Sequence, residues 1–141
     1  MGYRGNILLI EDDEDDVFFF KELVAELGIK NNIVTFNNTA DGLDFLDQTA
    51  EDIFIIFSDI NLPKRNGLQF KHDIDANPTL RRKSIPFVFY STTANRDDVN
   101  EAFETLTVQG FFKKGNDYHL AKEQLHKIMQ YWECCEHPNN S

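Results

Sequence analysis

The sequence contains few cysteines and no long apolar run, and each shortage excludes a class of protein. Its two cysteines, Cys134 and Cys135, are adjacent, a spacing that suits neither a disulfide framework nor a zinc site. No run approaches the ~18 apolar residues of a membrane-spanning helix, and residues 1–6 lack the apolar core of a signal peptide. We therefore expect a soluble, cytoplasmic protein with two reduced thiols.

Positive charge is also scarce. Lysine and arginine number 14 against 24 aspartates and glutamates, which gives a formal net charge of −10 at pH 7. This balance argues against a broad basic surface for DNA or anionic membranes. No basic or helix-turn-helix segment follows residue 132. We expect no direct binding to nucleic acid or membrane, and output through another protein.

The chain is rich, in contrast, in apolar segments that alternate between strand-like and helix-like patterns. Strands are predicted at residues 6–10, 33–36, 53–57, 86–90 and 110–114, each followed by a stretch with helical apolar spacing. This alternation predicts an α/β protein with a flavodoxin-like, five-stranded parallel sheet, order 2-1-3-4-5, and helices on both faces. We expect one domain over residues 1–141, with its core at about 6–132 and a polar tail at 133–141.

The third strand is the one around which the rest is arranged. Its five apolar residues, Ile53 to Phe57, are typical of a strand buried on both faces, and Asp59 follows directly. Ligands of open parallel sheets bind beyond the carboxyl ends of the strands, so Asp59 is predicted to lie at a binding crevice. A lone aspartate at a strand end is also typical of a simple turn.

Carboxylates at the end of the first strand favour the binding-site interpretation. Glu11 and Asp12 should meet Asp59 at the point where the strand order reverses. Like charges at short range need neutralisation, and a few carboxylates completed by water suit Mg²⁺ better than a fully caged Ca²⁺. A cluster that only raises its own pKa values remains the alternative.

The fourth and fifth strands end in a hydroxyl and an amine. Ser91 follows the fourth strand, and Lys113 and Lys114 end the fifth, where alternation lets only one of the two lysines face the crevice. Taken singly, Ser91 could cap a helix and the lysines could be solvent-facing. Carboxylate, metal, hydroxyl and ammonium together are what phosphoryl transfer requires.

In this combination the sequence resembles the receiver domain of two-component response regulators, over about residues 6–132. The matching motifs are Ile7–Asp13 at the first strand, Asp59–Pro63 with Gly67-Leu68 after the third, Ser91-Thr92 after the fourth, and Phe111–Lys114 at the fifth. Three positions depart from the family pattern. Gly115 stands where proline is usual, Phe111 where tyrosine is common, and Arg65 where an apolar residue is frequent.

The resemblance implies a role for each matching residue. Asp59 would be the phosphorylated residue, with Ser91 and Lys114 binding the phosphoryl oxygens. The implied Mg²⁺ ligands are Glu11, Asp12, Asp59 and the main-chain carbonyl of Asn61, with Asp13 outside the metal's coordination. Asn61 and Thr93 would set the lifetime of the phosphoryl group, and Phe111 would repack when Ser91 moves inward on phosphorylation.

The resemblance also implies partners. The donor would be a sensor histidine kinase or a histidine phosphotransfer protein, and the output a protein target, as in stand-alone receivers of the chemotaxis type. Such a protein is no conventional enzyme, since it catalyses only its own Mg²⁺-dependent phosphorylation and dephosphorylation. One alternative is an interaction module that signals without phosphorylation. Another is a phosphatase with an aspartate nucleophile, which usually has a second aspartate where Asn61 stands.

Overall fold

The structure, a computed structural model, describes residues 5–92, 96–104, 106 and 108–138. The strands are β1 (Asn6–Ile10), β2 (Ile33–Phe36), β3 (Ile53–Ser58), β4 (Phe87–Ser91) and β5 (Gly110–Lys113). The helices are α1 (Glu14–Glu26), α2 (Thr39–Gln48), α3 (Gly67–Ala76), α4 (Pro78–Lys83), α5 (Arg96–Glu104) and α6 (Tyr118–Cys134). All the strand pairs are parallel.

The predicted strand order is confirmed, because the sheet runs β2-β1-β3-β4-β5. Every residue of β3 is buried, as expected for the central strand of a sheet covered on both faces. Alternate side chains of the strands feed two separate apolar clusters. One cluster includes α2 to α5 and the other includes α1 and α6, so the helices lie on both faces as predicted.

The helix ends follow local sequence signals. The Asp13 side chain caps α1 by accepting hydrogen bonds from the backbone N–H groups of Asp15 and Asp16. Asn66 and Gln69 form a reciprocal capping box at the start of α3. These caps fix where the loops after β1 and β3 end, and those loops carry the residues of the candidate site.

Helix α4 was not predicted. The sequence Asn77-Pro78 is a helix stop for α3, but the Asn77 side chain also accepts from the backbone N–H groups of Thr79 and Leu80, so it caps the next helix. Pro78 occupies the first turn of α4, where its missing N–H costs nothing. The same residues therefore end one helix and begin another.

The segment after α6 makes a contact with the core that a polar tail would not make. His137 is only 3% exposed, and its ring stacks on Phe54 of β3 with centroids 4.5 Å apart. The His137 Nε2 atom also lies 2.6 Å from the Phe54 carbonyl oxygen. This contact covers the end of β3 opposite Asp59. Burial lowers the pKa of His137.

No helix among the described residues is both long and apolar enough to cross a lipid bilayer. Cys134 and Cys135 are both free thiols.

Candidate functional site

The ends of β1 and β3 bring three carboxylates together. The two strands are paired through Ile10 and Ser58, and the Asp59 N–H donates to the Ile10 carbonyl over 3.0 Å. Glu11 and Asp59 are buried and Asp12 is exposed. Each offers a carboxylate oxygen, and these three oxygens lie within 4.8 Å of one another. The cluster predicted from the sequence is therefore present in the fold.

The two oxygens of Asp59 have different surroundings. Oδ1 accepts hydrogen bonds from the Ile60 N–H at 2.7 Å, from the Asn61 N–H at 3.4 Å and from the Ser91 hydroxyl at 2.6 Å. Oδ2 faces the Lys114 ammonium at 3.7 Å. The hydrogen bonds hold the carboxylate in one orientation and leave Oδ2 directed toward the cation.

The loop after β3 is held close to Asp59 by a glycine. The Gly67 N–H donates to the Ile60 carbonyl at 2.8 Å. A Cβ atom at position 67 would lie 2.1 Å from the main-chain oxygen of Asp59, far inside van der Waals contact. Glycine is therefore required here for close approach of two backbones, which explains its place in the motif.

Lys114 reaches into the crevice from the end of β5, whereas Lys113 is exposed. The Lys114 ammonium pairs with Glu11 Oε1 and lies 3.0 Å from Asp16 Oδ2. Its side chain is only 11% exposed, and it crosses the Tyr90 ring at 5.8 Å from the ring centroid. Among the described residues, the ammonium is thus surrounded by the carboxylates of Glu11, Asp16 and Asp59.

The electrostatics of the site follow from burial and this one cation. Burial is the largest influence on Glu11 and, against the opposing effect of Lys114, raises the pKa of its carboxyl from 4.5 to about 7. Burial acts to lower the pKa of Lys114, but the hydrogen bond and charge of Glu11, with help from Asp59 and Asp16, raise it above its ordinary value. A proton or a cation is therefore favoured at Glu11.

The donor set suits a divalent metal ion. Three carboxylates from adjacent strand ends converge, and hard oxygen ligands of this kind are typical for Mg²⁺, Mn²⁺ and Ca²⁺. Burial, with a smaller contribution from the charge of Asp59, raises the pKa of Glu11 and makes an unneutralised carboxylate at this position unfavourable. On this chemistry, the residues present fit a cation.

The other residues predicted for the site lie at different distances from it. Ser91 is fully buried and already donates to Asp59, so the expected inward movement is not needed to reach that carboxylate. Phe111 is half-buried and packs on Phe89, with centroids 5.6 Å apart. Asp13 is occupied as the cap of α1. Thr93 lies outside the described residues.

Two positions that depart from the family pattern have defined surroundings. Arg65 forms a bidentate pair with Asp73 on α3, with both N–O distances 2.9 Å. No cis peptide bond occurs within the described residues, so Lys114 and Gly115 are joined by a trans bond. Nothing lies within 4 Å of a Cβ atom placed on Gly115.

Asp16 is the site residue that sequence reasoning missed. In the sequence it is one of several acidic residues at the start of α1, where the helix dipole favours negative charge. Its contact with Lys114 spans 98 positions of sequence. No strand or helix pattern in the sequence brings these two residues together.

Comparison with known proteins agrees with this geometry. Residues 7–129 match the family model of the response regulator receiver domain. Response regulator Rcp1 of Synechocystis is 29% identical over 131 residues, which cover 89% of this chain and 87% of Rcp1. The phosphorylated cyanobacterial phytochrome response regulator RcpA superposes with a TM-score of 0.85 at 26% identity, covering 97% of this chain and 100% of RcpA. The Mn²⁺-bound form of Rcp1 gives a TM-score of 0.79 at 27% identity, covering 94% of this chain and 96% of that one.

Proposed function

Because the chain belongs to the response regulator receiver domain family, we propose that its Asp59 accepts a phosphoryl group in a Mg²⁺-dependent reaction. Family membership implies aspartate phosphorylation in two-component signalling, with a phosphodonor kinase and downstream targets as partners. The observation that carries the proposal is the convergence of Asp59 with a hydroxyl, an ammonium and two further carboxylates. Phosphoryl transfer needs this combination, because its transition state is stabilised chiefly by positioning and electrostatics.

The donor is a phosphohistidine on a sensor histidine kinase or on a histidine phosphotransfer protein. Asp59 Oδ2 forms a bond to phosphorus, the bond from phosphorus to the imidazole nitrogen breaks, and the imidazole leaves with the electron pair. Oδ2 is the better placed oxygen, since Oδ1 already accepts from Ile60, Asn61 and Ser91. Lys114 is close enough to move onto a phosphoryl oxygen, as its ammonium is 3.7 Å from Oδ2.

The carboxylates of Glu11, Asp12 and Asp59, with the main-chain carbonyl of Asn61, would hold the Mg²⁺ ion. The ion would neutralise charge on the phosphoryl oxygens. Two observations support a divalent ion here: the convergence of three carboxylate oxygens and the Mn²⁺-bound form of the similar protein Rcp1.

The output is a change of protein surface. An aspartyl phosphate adds close to two negative charges beside the sheet, and Ser91, already turned toward Asp59, keeps a hydrogen bond to the modified side chain. Phe111, half-buried against Phe89, repacks in response. The change reaches α5, β5 and α6, where a protein target binds. Asn61 and Thr93 set the phosphoryl lifetime.

The surface for the phosphodonor includes α1. Phe18 on this helix is 64% exposed, and a large exposed aromatic side chain is typical of a binding surface. Phe19, the next residue, is half-buried and contacts Tyr118 edge to face. Phe18 is therefore the residue of this pair that a partner can reach.

Phosphorylation is tested with acetyl phosphate and Mg²⁺, followed by Phos-tag electrophoresis. Wild type should give a shifted band that disappears with excess EDTA, and Asp59→Asn should give none. Asp44→Asn, which changes an exposed carboxylate on α2, is the control and should shift like wild type. A shifted band in Asp59→Asn, or none in wild type, would overturn the proposal. The second result would favour the phosphorylation-independent interaction module.

A further inference from the structure

Asp16 holds the site lysine from outside the carboxylate cluster. It lies in the first turn of α1, and its side chain is 36% exposed. Its Oδ2 atom is 3.0 Å from the Lys114 ammonium, whereas Asp59 Oδ2 is 3.7 Å from the same nitrogen. The first distance is within the range of a charge-assisted hydrogen bond and the second is beyond it.

The partners of Lys114 therefore have an order. The ammonium donates to Glu11 and to Asp16, and only through-space attraction remains for Asp59. If a metal ion takes up the Glu11 carboxylate, Asp16 is the remaining carboxylate that accepts a hydrogen bond from the lysine. Asp16 is outside the three-carboxylate cluster that fits the metal. It can therefore stay paired with Lys114 when a metal ion occupies that cluster.

We propose that Asp16 is a positioning residue that competes with the Asp59 phosphoryl group for Lys114, and so lowers the stability of the phosphorylated form. This inference rests on the proposed function. Asp16 acts in two ways in the same direction. Its pairing with the ammonium must be weakened before Lys114 binds a phosphoryl oxygen, and its negative charge near the site opposes the added phosphoryl charge.

Replacing Asp16 by asparagine removes the charge and keeps the shape of the side chain. The ammonium is then free to move toward Asp59, and the phosphorylated form becomes more stable. Asp15→Asn is the matched control. It removes one negative charge from the same helical turn, so the favourable interaction with the helix dipole is reduced equally. Asp15 is exposed, however, and is no partner of Lys114 in the described structure.

The test uses beryllium fluoride, a stable analogue of the phosphoryl group, with Mg²⁺ at a saturating concentration. Isothermal titration calorimetry should show that Asp16→Asn binds it about threefold more tightly than wild type, the size expected for a partly exposed ion pair. Asp15→Asn should match wild type. Steady-state phosphorylation by acetyl phosphate should rise in Asp16→Asn alone.

A second readout needs no phosphorylation. In protein labelled with ¹⁵N-lysine, the ammonium protons of Lys114 should exchange with water faster in Asp16→Asn than in wild type or Asp15→Asn, because an ion pair protects them. A merely structural role of Asp16 would change thermal stability without changing this exchange rate relative to the control.

Three results would overturn the inference while leaving the proposed function intact: unchanged affinity for beryllium fluoride in Asp16→Asn, weaker affinity, or an equal gain in Asp15→Asn. Failure of the proposed function has a different signature, since wild type would then bind no beryllium fluoride and accept no phosphoryl group. In that case the exchange experiment would still be decisive. An unchanged rate of proton exchange at the Lys114 ammonium in Asp16→Asn would overturn the inference that Asp16 competes with the cluster for this lysine.

Discussion

At the scale of single residues, the site depends on how few positive charges balance its carboxylates. Within the described structure, Lys114 is the cation that contacts Glu11, Asp16 and Asp59. One ammonium cannot neutralise three carboxylates, and Glu11 is the most deeply buried of them. Burial is the main reason that the pKa of the Glu11 carboxyl is raised, and the nearby charge of Asp59 adds to it.

The raised pKa of Glu11 predicts a pH-dependent stability in the absence of metal. The pKa of Glu11 is 4.5 when unperturbed and about 7 in the folded protein, so the folded state keeps a proton that the unfolded chain has lost. The stability contributed by that proton is full below pH 4.5 and is lost as pH rises to 7, by about 3 kcal/mol. Urea denaturation in EDTA at several pH values measures it.

The matched variant for this prediction is Glu11→Gln, which should lack this loss between pH 4.5 and 7. Glu14→Gln, at an exposed position in the first turn of α1, should behave like wild type. An identical fall of stability with pH in wild type and Glu11→Gln would show that another group is responsible.

The sequence was sufficient to identify which strand ends meet, but it did not reveal Asp16 or the hydrogen bonds of the site. Strand ends and the strand order bring Glu11, Asp12 and Asp59 to one edge of the sheet. The rotation of α1 about its axis, which turns Asp16 toward Lys114, depends on packing against α6 and the sheet. The hydrogen bond from Ser91 to Oδ1 likewise depends on side-chain geometry that no strand pattern contains.

At the scale of elements, the loop between β3 and α3 is the part most sensitive to a single atom. We predict that Gly67→Ala destabilises the protein by about 3 kcal/mol, because the added Cβ would meet the Asp59 main-chain oxygen at 2.1 Å. The backbone of Asp59 would have to move. Thermal or urea denaturation measures the loss, and phosphorylation by acetyl phosphate should fall with it.

Gly115→Ala is the control for this prediction. It adds the same methyl group to another loop of the site, where no atom lies within 4 Å of the new Cβ. Its effect should stay within about 0.5 kcal/mol, as for an ordinary surface substitution. Equal effects of the two variants would mean that the loop after β3 adapts without cost.

A second prediction at this scale concerns docking of the phosphodonor kinase on helix α1. Phe18→Ala should slow phosphotransfer from a histidine kinase at least about fivefold, as expected if a buried aromatic contact is lost. Phosphotransfer profiling against histidine kinases measures the rate. Tyr131→Ala on α6 removes another exposed aromatic side chain, 62% exposed in place of 64%, and should leave the rate unchanged. An unchanged rate in Phe18→Ala would place the docking surface elsewhere.

Two residues show why sequence patterns do not predict every element and contact of the fold. Asn77 is followed by proline, a pattern that predicts a helix end, yet the residue that ends one helix can cap the next with its side chain. His137 stands among polar residues, and nothing in that stretch predicts that its ring stacks on Phe54 of a strand 83 positions earlier. Both outcomes depend on tertiary placement.

At the scale of the whole molecule, an acidic protein gains stability from a cation that binds only its folded form. The net charge is −10, and the three converging carboxylates exist as a cluster only after β1 and β3 pair. Mg²⁺ at about 100 times its dissociation constant should therefore add about 2.7 kcal/mol to the free energy of unfolding. The melting temperature should rise by about 8 °C.

Differential scanning calorimetry with and without Mg²⁺ tests this stabilisation. Sodium chloride at equal ionic strength controls for general screening, and Asp12→Asn should lose most of the Mg²⁺ effect while keeping the fold. A rise of the same size in sodium chloride, or in Asp12→Asn, would assign the stabilisation to charge screening and not to the cluster.

The contact between His137 and Phe54 covers the end of β3 that lies opposite Asp59. The imidazole ring shields Phe54 from water there, and both rings are almost completely buried. Truncation after residue 134 would expose Phe54 at the start of the strand that precedes Asp59. A tag joined close to His137 would therefore have to leave its stacking on Phe54 in place.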